Sequence, residues 1–493
     1  MPPLRLLPAV LLLFVGSGCA ALIYEVVWFQ LLQLVIGSSA VSLAVLLGTF
    51  MGGMGLGSLL LPRWLDPTRH PLRVYAALEA GIAMCGIAVL IAVPLLGQAY
   101  TALAGHGATG IALRAVLCAA CLLPPTIMMG ATLPAIARWV EASPRGVAWL
   151  GIFYGGNTLG AVLGCLLAGF WLLRVHDTTI ATLSAVGLNL AVAGVAWLLA
   201  RGTAPAPAAS SRPAHSDSSR ISTPVLWAIG LSGFCALAAE VIWARLLSLL
   251  IGATVYTFAI ILAVFLTGLA LGSSGGSMIA RHASRPRAWL AGCQLLQVAA
   301  VAWAAYASAV LLPQWSVSPV LPLPAKFSLD LARCALALLP AALLWGASFP
   351  LALAGLAGPG HDPARLVGRA YAANTAGAIA GAVLTGLTLV PWIGAQQTQF
   401  ALAVLAVLAA VLALDTGKAR VAITLVGLVV LAGAQRVIPP VPWQLVAYGR
   451  QVATTDYGAR PIYLGEGVNA TVAVTETPGG ARFFHVSGKT EAS

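Results

Sequence analysis

Long apolar stretches separated by short polar connections make up most of the chain. A helix that crosses a bilayer needs about 20 mostly apolar residues. Thirteen stretches of roughly that length follow one another, at 8–35, 40–61, 73–97, 111–136, 147–173, 179–200, 224–250, 254–279, 288–312, 329–355, 367–392, 397–414 and 419–435. This pattern predicts an all-α polytopic membrane protein whose main partner is the lipid bilayer.

Basic residues occur in every second connection. They are Arg5, Arg63, Arg69, Arg73, Arg138, Arg145, Arg201, Arg212, Arg220, Arg281, Arg285, Arg287, Arg365, Arg369, Lys418 and Arg420, whereas the opposite connections hold little more than Arg174 and Lys326. Cytoplasmic loops of membrane proteins are enriched in lysine and arginine. We therefore expect a multi-pass protein of the cell inner membrane with a cytoplasmic N-terminus.

The helical region contains an internal repeat. Residues 17–57 align without a gap to residues 232–272, at an offset of 215. This alignment places Glu25 on Glu240, Trp28 on Trp243, Gly53 on Gly268 and Gly57 on Gly272. Residues 123–134 likewise match 339–350, and residues 154–169 match 371–386, which places Asn157 on Asn374. Matches in this order indicate a duplicated architecture.

Six spans in each copy give the two copies the same orientation in the membrane. That arrangement, a pair of parallel repeats, is the one found in the major facilitator class of transporters. The predicted organisation is a first repeat at 1–200, a cytoplasmic linker at 201–223, a second repeat at 224–395, an additional transmembrane hairpin at 396–436 and a β-rich tail at 437–493. Proline, alanine and serine dominate the linker, as in flexible connections.

Three carboxylates fall inside the predicted spans: Glu25, Glu79 and Glu240. A charge at the bilayer centre costs about 2.5–3.5 kcal/mol on insertion scales, so such residues usually face a cavity or a partner. Glu25 and Trp28 are three residues apart and share one helix face. The pair and its second copy, Glu240 with Trp243, could form a polar site for a cation, a proton or a cationic substrate.

A structural role is the alternative for these carboxylates. Each could accept hydrogen bonds from a neighbouring helix, and Arg245 is a candidate ion-pair partner for one of them. Glu79 is replaced by Gln294 in the second copy, which weakens its claim to a duplicated role. Asn157 and Asn374 are further candidates for substrate binding, since they could line a cavity or bond across helices.

Glycines spaced four residues apart recur in both copies. They are Gly53 and Gly57, Gly160 and Gly164, Gly268 and Gly272, and Gly377 and Gly381. In lipid, small residues at this spacing let two helices approach closely. We expect these positions to be helix-packing contacts.

Composition supports a membrane protein and weakens other classes. Hydrophobic residues make up 60% of the chain, charged residues 8%, and the mean hydropathy is +0.94. The net charge of +12 is spread over short connections, without the clustered basic patch of a nucleic-acid-binding protein. The cysteines lie in or beside apolar runs, and Cys118 with Cys121 forms a single C-x-x-C without a second pair. No metal site is predicted.

The tail changes character after about residue 437. Three short β-rich runs, PIYLGEG, NATVAVTE and ARFFHVSG, follow a polar, proline-broken exit, and a Pro478-Gly479-Gly480 turn joins the last two. A hairpin of this size is marginal alone. We expect the tail to be the opening of a further domain.

The S-G-x-x-A-L-x-x-E-V-x-W opening of both repeats, together with the LGEGVNATVAVTE and HVSGKTEAS segments, resembles a fused membrane–spermidine synthase family. The resemblance implies a major-facilitator-like region joined to a polyamine aminopropyltransferase-like domain that binds decarboxylated S-adenosylmethionine and a polyamine. The glycine-rich cofactor loop and catalytic aspartate of that family would lie beyond residue 493. The resemblance therefore assigns no catalytic residue and no cofactor to these residues.

Three functions follow as expectations. The first is the membrane module of a synthase-like protein, which anchors or supplies the transferase domain. The alternatives are a secondary transporter for a polyamine or another small cation, and a non-transporting membrane scaffold. Thirteen spans from a cytoplasmic N-terminus would place the tail outside the cell membrane, unless a hairpin or an extra passage in the 397–435 region returns it to the cytoplasmic side.

Overall fold

The computed structural model describes residues 6–36, 39–64, 69–103, 108–140, 144–202, 222–315, 321–357, 363–415, 417–452 and 458–492. The helices of the first repeat are Leu7–Ile36 (α1), Ser39–Trp64 (α2), Pro71–Leu103 (α3), Ala108–Val140 (α4), Pro144–Leu167 (α5) and Thr178–Arg201 (α6). Most of the predicted 201–223 linker lies outside the described residues.

The second repeat has the same number of helices. They are Thr223–Ile251 (α7), Val255–His282 (α8), Pro286–Tyr306 (α9), Leu323–Leu356 (α10), Pro363–Leu384 (α11) and Val390–Ala413 (α12). Lys418–Val437 (α13) and the short Trp443–Tyr448 (α14) follow, and then the strands Arg460–Glu466 (β1), Thr471–Glu476 (β2), Arg482–Val486 (β3) and Lys489–Ala492 (β4).

Within the described ranges, eleven helices are long and apolar enough to cross a membrane. One of them, Gly368–Ala413, contains a break at Gly394, where φ is 78°, and α2 adds the shorter apolar segment Val45–Leu60. The thirteen stretches of the hydropathy pattern correspond to these helices and segments. The prediction of a polytopic helical membrane protein with a β-rich tail is confirmed.

The chain forms two compact units. The first comprises the described parts of Met1–Gly37, Val45–Ser222 and Leu356–Ile379, and the second comprises those of Ser38–Ala44, Thr223–Gly355 and Ala380–Ser493. Most of α11, a helix of the second repeat, thus belongs to the first unit. In that unit, a Cβ atom at Gly55 would lie 2.7 Å from Cγ2 of Thr375.

Glycine contacts between helices are repeated in the two copies. A Cβ atom at Gly57 would overlap the carbonyl oxygen of Ile127, where α2 meets α4. At the same place in the second repeat, a Cβ atom at Gly272 would overlap the carbonyl oxygen of Leu343, where α8 meets α10. Helix backbones in contact at this distance leave no room for a side chain.

A second crossing is repeated in the same way. Gly164 on α5 faces the carbonyl oxygen of Cys19 on α1, and Gly381 on α11 faces that of Phe234 on α7. Three of the other four glycines of the predicted packing set also contact a neighbouring helix. Gly53 meets Thr126, Gly160 meets the carbonyl of Val15, Gly268 meets Ala342, and Gly377 is half-buried on α11.

The last two helices of each repeat are joined through equivalent irregular turns. A π-helical turn occupies Ala168–Leu172 after α5, and another occupies Thr385–Leu389 after α11, at an offset of 217. The same offset pairs Thr178, the first residue of α6, with Ala395. The helix that begins at Ala395 is therefore the counterpart of α6, and α13 follows it as an additional helix.

The tail folds into an antiparallel sheet with the strand order β1-β2-β3-β4. Thr471, Ala473 and Thr475 point to its buried face, which packs on α14. The predicted β-rich runs account for three strands, and the structure adds β4. Ser487 and Gly488 have φ values of 48° and 85°, as a two-residue hairpin turn of type I′ requires, so the Ser-Gly pair turns the chain into a fourth strand.

Candidate functional site

The three carboxylates of the spans are all buried. Glu25 on α1 and Glu240 on α7 are each 5% exposed, and Glu79 on α3 is fully buried. Because charge is costly at such positions, each carboxylate marks a place where the protein supplies polar contacts or carries out a function.

Glu79 lies in a polar cluster between three helices of the first unit. Its Oε1 accepts a hydrogen bond from the Ser17 hydroxyl of α1 at 2.6 Å, and its Oε2 accepts one from Nδ2 of Asn189 of α6 at 2.5 Å. The hydroxyl of Tyr75, one turn earlier on α3, contacts the carboxylate and also lies 3.3 Å from the carbonyl oxygen of Leu13. All these donors are neutral groups.

The second repeat builds a related cluster without a carboxylate. Nε2 of Gln294 on α9 donates to the hydroxyl oxygens of Ser232 and Ser348, at 3.0 and 2.9 Å. Ser232 and Gln294 are the counterparts of Ser17 and Glu79 at the offset of 215. In both repeats a buried hydrogen bond at equivalent positions thus joins the first helix to the third. Only the first repeat makes that bond with an ionisable group.

The two tryptophans of the Glu-Trp pairs lie inside their own units. Trp28 is 1% exposed and stacks on Tyr24, with ring centroids 5.2 Å apart. Trp243 is fully buried, and its Nε1 donates to Oε1 of Gln399 on α12 at 3.0 Å. Its ring lies 5.7 Å from that of Trp345 on α10.

The two asparagines occupy half-buried positions. Asn157 lies on α5, and its carbonyl oxygen approaches α1 so closely that a Cβ atom at Gly18 would overlap it. Asn374 lies on α11. Their place in substrate binding stays a prediction.

Arg245 has a different contact from the predicted intramembrane ion pair. Its Nη2 donates to the carbonyl oxygen of Gly467 at 2.7 Å, and its charge is close to Glu466 at the end of β1. Glu466 in turn accepts a hydrogen bond from the backbone N–H of Ala395 at 3.1 Å. Thr471 and apolar side chains close a cavity here with room for about one water molecule.

Three residues of the Glu79 cluster, Ser17, Tyr75 and Asn189, were absent from the sequence prediction. Ser17 opens the repeated S-G motif, and its recurrence as Ser232 was a usable signal. Asn189 carried no such signal, because its counterpart at the offset of 217 is Ala406. Among the described residues, no group of three or more histidine, cysteine, aspartate or glutamate side chains could hold a metal ion.

No family description and no curated protein matches this chain. Among solved structures, a bacterial homologue of the human lysosomal transporter Spinster is similar at 15% identity, with a TM-score of 0.52 over 88% of this chain and 96% of that one. A bacterial metal transporter is similar at 13% identity, with a TM-score of 0.49 over 88% and 99% of the two chains. The first likeness shows the fold alone: the helical region is folded like that transporter.

Proposed function

We propose that the protein is a secondary transporter for a small cation such as a polyamine. The observation that carries this proposal is the set of carboxylates buried within the spans of a major-facilitator-like fold. Glu25 and Glu240 recur at the same position of both repeats, each with a tryptophan three residues later. Carboxylates and aromatic faces are the groups that attract organic cations.

Glu79 has a separate part in this proposal. Its hydrogen-bond donors Ser17 and Asn189 are neutral, so they leave the charge of an ionised carboxylate without compensation. Gln294 makes the equivalent tie without any charge, so packing alone does not require a carboxylate there. We assign Glu79 to binding the proton or coupling cation and the Glu-Trp pairs to the substrate.

Uptake into proteoliposomes tests the proposal. Radiolabelled putrescine and spermidine would be offered with and without an imposed pH gradient. We expect uptake by the wild-type protein, and its loss in the double variant Glu25→Gln, Glu240→Gln. Asp177→Asn, an exposed acidic position on the same chain, is the matched control and should transport normally. Unchanged uptake by the double variant would rule out the assigned substrate site.

The membrane module of a fused synthase-like protein is the second candidate. It is favoured by the tail, whose motif-bearing residues form a four-stranded sheet against α14. The comparisons give this candidate no support. Reading the coding sequence past residue 493 tests it: a glycine-rich nucleotide loop within about 60 residues is the expected result, and its absence would end the idea.

A further inference from the structure

The break before the last helix of each repeat is built differently in the two copies. In the second repeat the break falls at Gly394, whose φ of 78° and ψ of 165° belong to a region that only glycine adopts readily. The offset of 217, fixed by the two π-helical turns, pairs Gly394 with Asp177. The two repeats therefore start equivalent helices from an aspartate in one case and a glycine in the other.

In the first repeat, the chain caps its own helix. Asp177 has extended backbone angles, and its Oδ1 accepts a hydrogen bond from the N–H of Ile180 at 2.8 Å. The first N–H groups of a helix have no partner within the helix, and a side-chain oxygen at the N-cap satisfies one of them. Asp177 is exposed and makes this bond locally.

In the second repeat, the cap comes from the sheet. Gly394 has no side chain to offer, and Oε1 of Glu466 accepts the N–H of Ala395 at 3.1 Å instead. The fit is close, because a Cβ atom at Gly394 would lie 3.2 Å from that oxygen. A carboxylate at this place also interacts favourably with the positive end of the helix dipole.

Two arginines secure the tail around this contact. Arg245 of α7 donates to the carbonyl oxygen of Gly467, next to Glu466 in the chain. Arg450, just after α14, lies 3.9 Å from Asp330 of α10 and packs on Gly252. Gly488, in the turn between β3 and β4, donates its N–H to the carbonyl oxygen of Val446 in α14. The sheet therefore contacts the membrane helices in two ways. Glu466 and Gly467 form hydrogen bonds at the end of β1, and α14 packs between the sheet and the helices.

We propose that the C-terminal sheet is a latch on the hinge at Gly394, in which Glu466 supplies the helix cap that the second repeat lacks. With the sheet docked, the break is fixed and the first turn of the following helix is capped. With the sheet lifted, that turn loses the cap and Gly394 is free to change its angles. The first repeat has no such dependence, since Asp177 travels with its own helix.

Hydrogen–deuterium exchange on the full chain in lipid nanodiscs tests the latch. Glu466→Ala should raise exchange at residues 395–398 about fivefold, the effect typical of removing an N-cap, and leave residues 178–181 unchanged. Glu466→Gln keeps an acceptor oxygen and should stay close to wild type. Asp177→Ala is the matched control: it should raise exchange at residues 178–181 and leave residues 395–398 unchanged.

Two results would overturn the proposal. The first is unchanged exchange at 395–398 in Glu466→Ala; the second is an equal rise at 395–398 and 178–181, which would mean general loosening of the fold. If Glu466→Ala does not fold, Arg245→Gln decides, because it frees the end of β1 while keeping the carboxylate. That variant should raise exchange in both 462–467 and 395–398, and a rise confined to 462–467 would refute the latch.

Discussion

The hydroxyl of Ser17 donates to Oε1 of Glu79 across 2.6 Å, and this bond joins the first and third helices of the first repeat. The corresponding positions of the second repeat, Ser232 and Gln294, are also hydrogen-bonded, at 3.0 Å. Duplication has kept the connection and changed its chemistry. The difference between carboxylate and amide is the basis of the first prediction.

Replacing Glu79 with glutamine should preserve the fold and abolish the coupling of substrate uptake to the proton gradient. An amide at this position can bond to Ser17 as Gln294 bonds to Ser232, so we expect the melting temperature to stay within a few degrees of wild type. The stimulation of uptake by a pH gradient should fall by about tenfold or more, in the range of ordinary coupling energies. Uptake in proteoliposomes, with and without the pH gradient, measures this stimulation.

The control for this variant lies in the other repeat. Gln294→Glu adds a buried carboxylate in the equivalent place and should lower stability without creating a second coupled site. Full pH-gradient stimulation in Glu79→Gln would show that Glu79 has a structural role only.

Adding a methyl group at Gly57 or at Gly272 should destabilise the protein. Each new Cβ atom would overlap a carbonyl oxygen, of Ile127 or of Leu343, and neither backbone can move without shifting its helix. Overpacking of this kind costs about 1–3 kcal/mol. Thermal unfolding in detergent should show similar losses for Gly57→Ala and Gly272→Ala. Gly187→Ala, with no atom within 4 Å of the new group, should unfold like the wild type.

Docking of the sheet should be stronger at acidic pH. Burial raises the pKa of Glu466 above its ordinary 4.5, although the N–H of Ala395 and the charge of Arg245 partly oppose this shift. Arg245 is the one titratable group among the residues that line the cavity beside Glu466. A carboxyl group whose pKa is higher in the docked state favours docking at pH values below about 4.5. This preference is lost as the pH rises through the pKa of the docked state.

Hydrogen–deuterium exchange can measure how docking depends on pH. The quantity to follow is the exchange rate at residues 395–398 divided by that at residues 178–181, because the pH dependence of intrinsic exchange largely cancels in this ratio. The ratio should rise with pH in the wild type and flatten in Glu466→Gln. Burial also lowers the pKa of His485, which packs on Tyr448, so acid should loosen that contact below about 6.5. Any pH dependence left in Glu466→Gln belongs to other groups, His485 among them. A slope as steep as that of the wild type would contradict the role given to Glu466.

The cytoplasmic N-terminus and the side of the tail can be tested by reporter fusions. With a cytoplasmic N-terminus and thirteen spans, a periplasm-active reporter at residue 493 should be active and a cytoplasm-active one inactive. Fusions at residue 212, in the predicted cytoplasmic linker, should give the reverse result. Identical activity at both positions would mean an even number of passages between them.

Hydropathy and the repeat predicted much of the fold, because each span needs a long apolar stretch and each repeated glycine has a packing reason that recurs. Gly57 and Gly272 could be paired from sequence, and the structure puts both against carbonyl oxygens. The fourth strand was missed because Ser487 and Gly488 form a two-residue turn, which is a weaker signal than Pro478-Gly479-Gly480.

The polar clusters were harder to predict than the helices. Contacts such as Asn189 with Glu79, or Trp243 with Gln399, join residues more than 100 positions apart and leave no periodic trace in either helix. Arg245 illustrates the same difficulty. Its place in a predicted span suggested one of the buried carboxylates as its partner, whereas its hydrogen bond goes to Gly467 in the tail.

Because Glu466 caps the helix that begins at Ala395, the tail contributes to the stability of the membrane region. Shortening the chain anywhere before β1 would remove a contact from a helix that ends at Ala413, far earlier in the sequence. Tail deletions and domain exchanges that remove Glu466 would therefore take a hydrogen bond from a helix of the membrane region. An expression design that keeps the strands through Ala492 would preserve the second repeat, and one that trims the tail as an appendage would not.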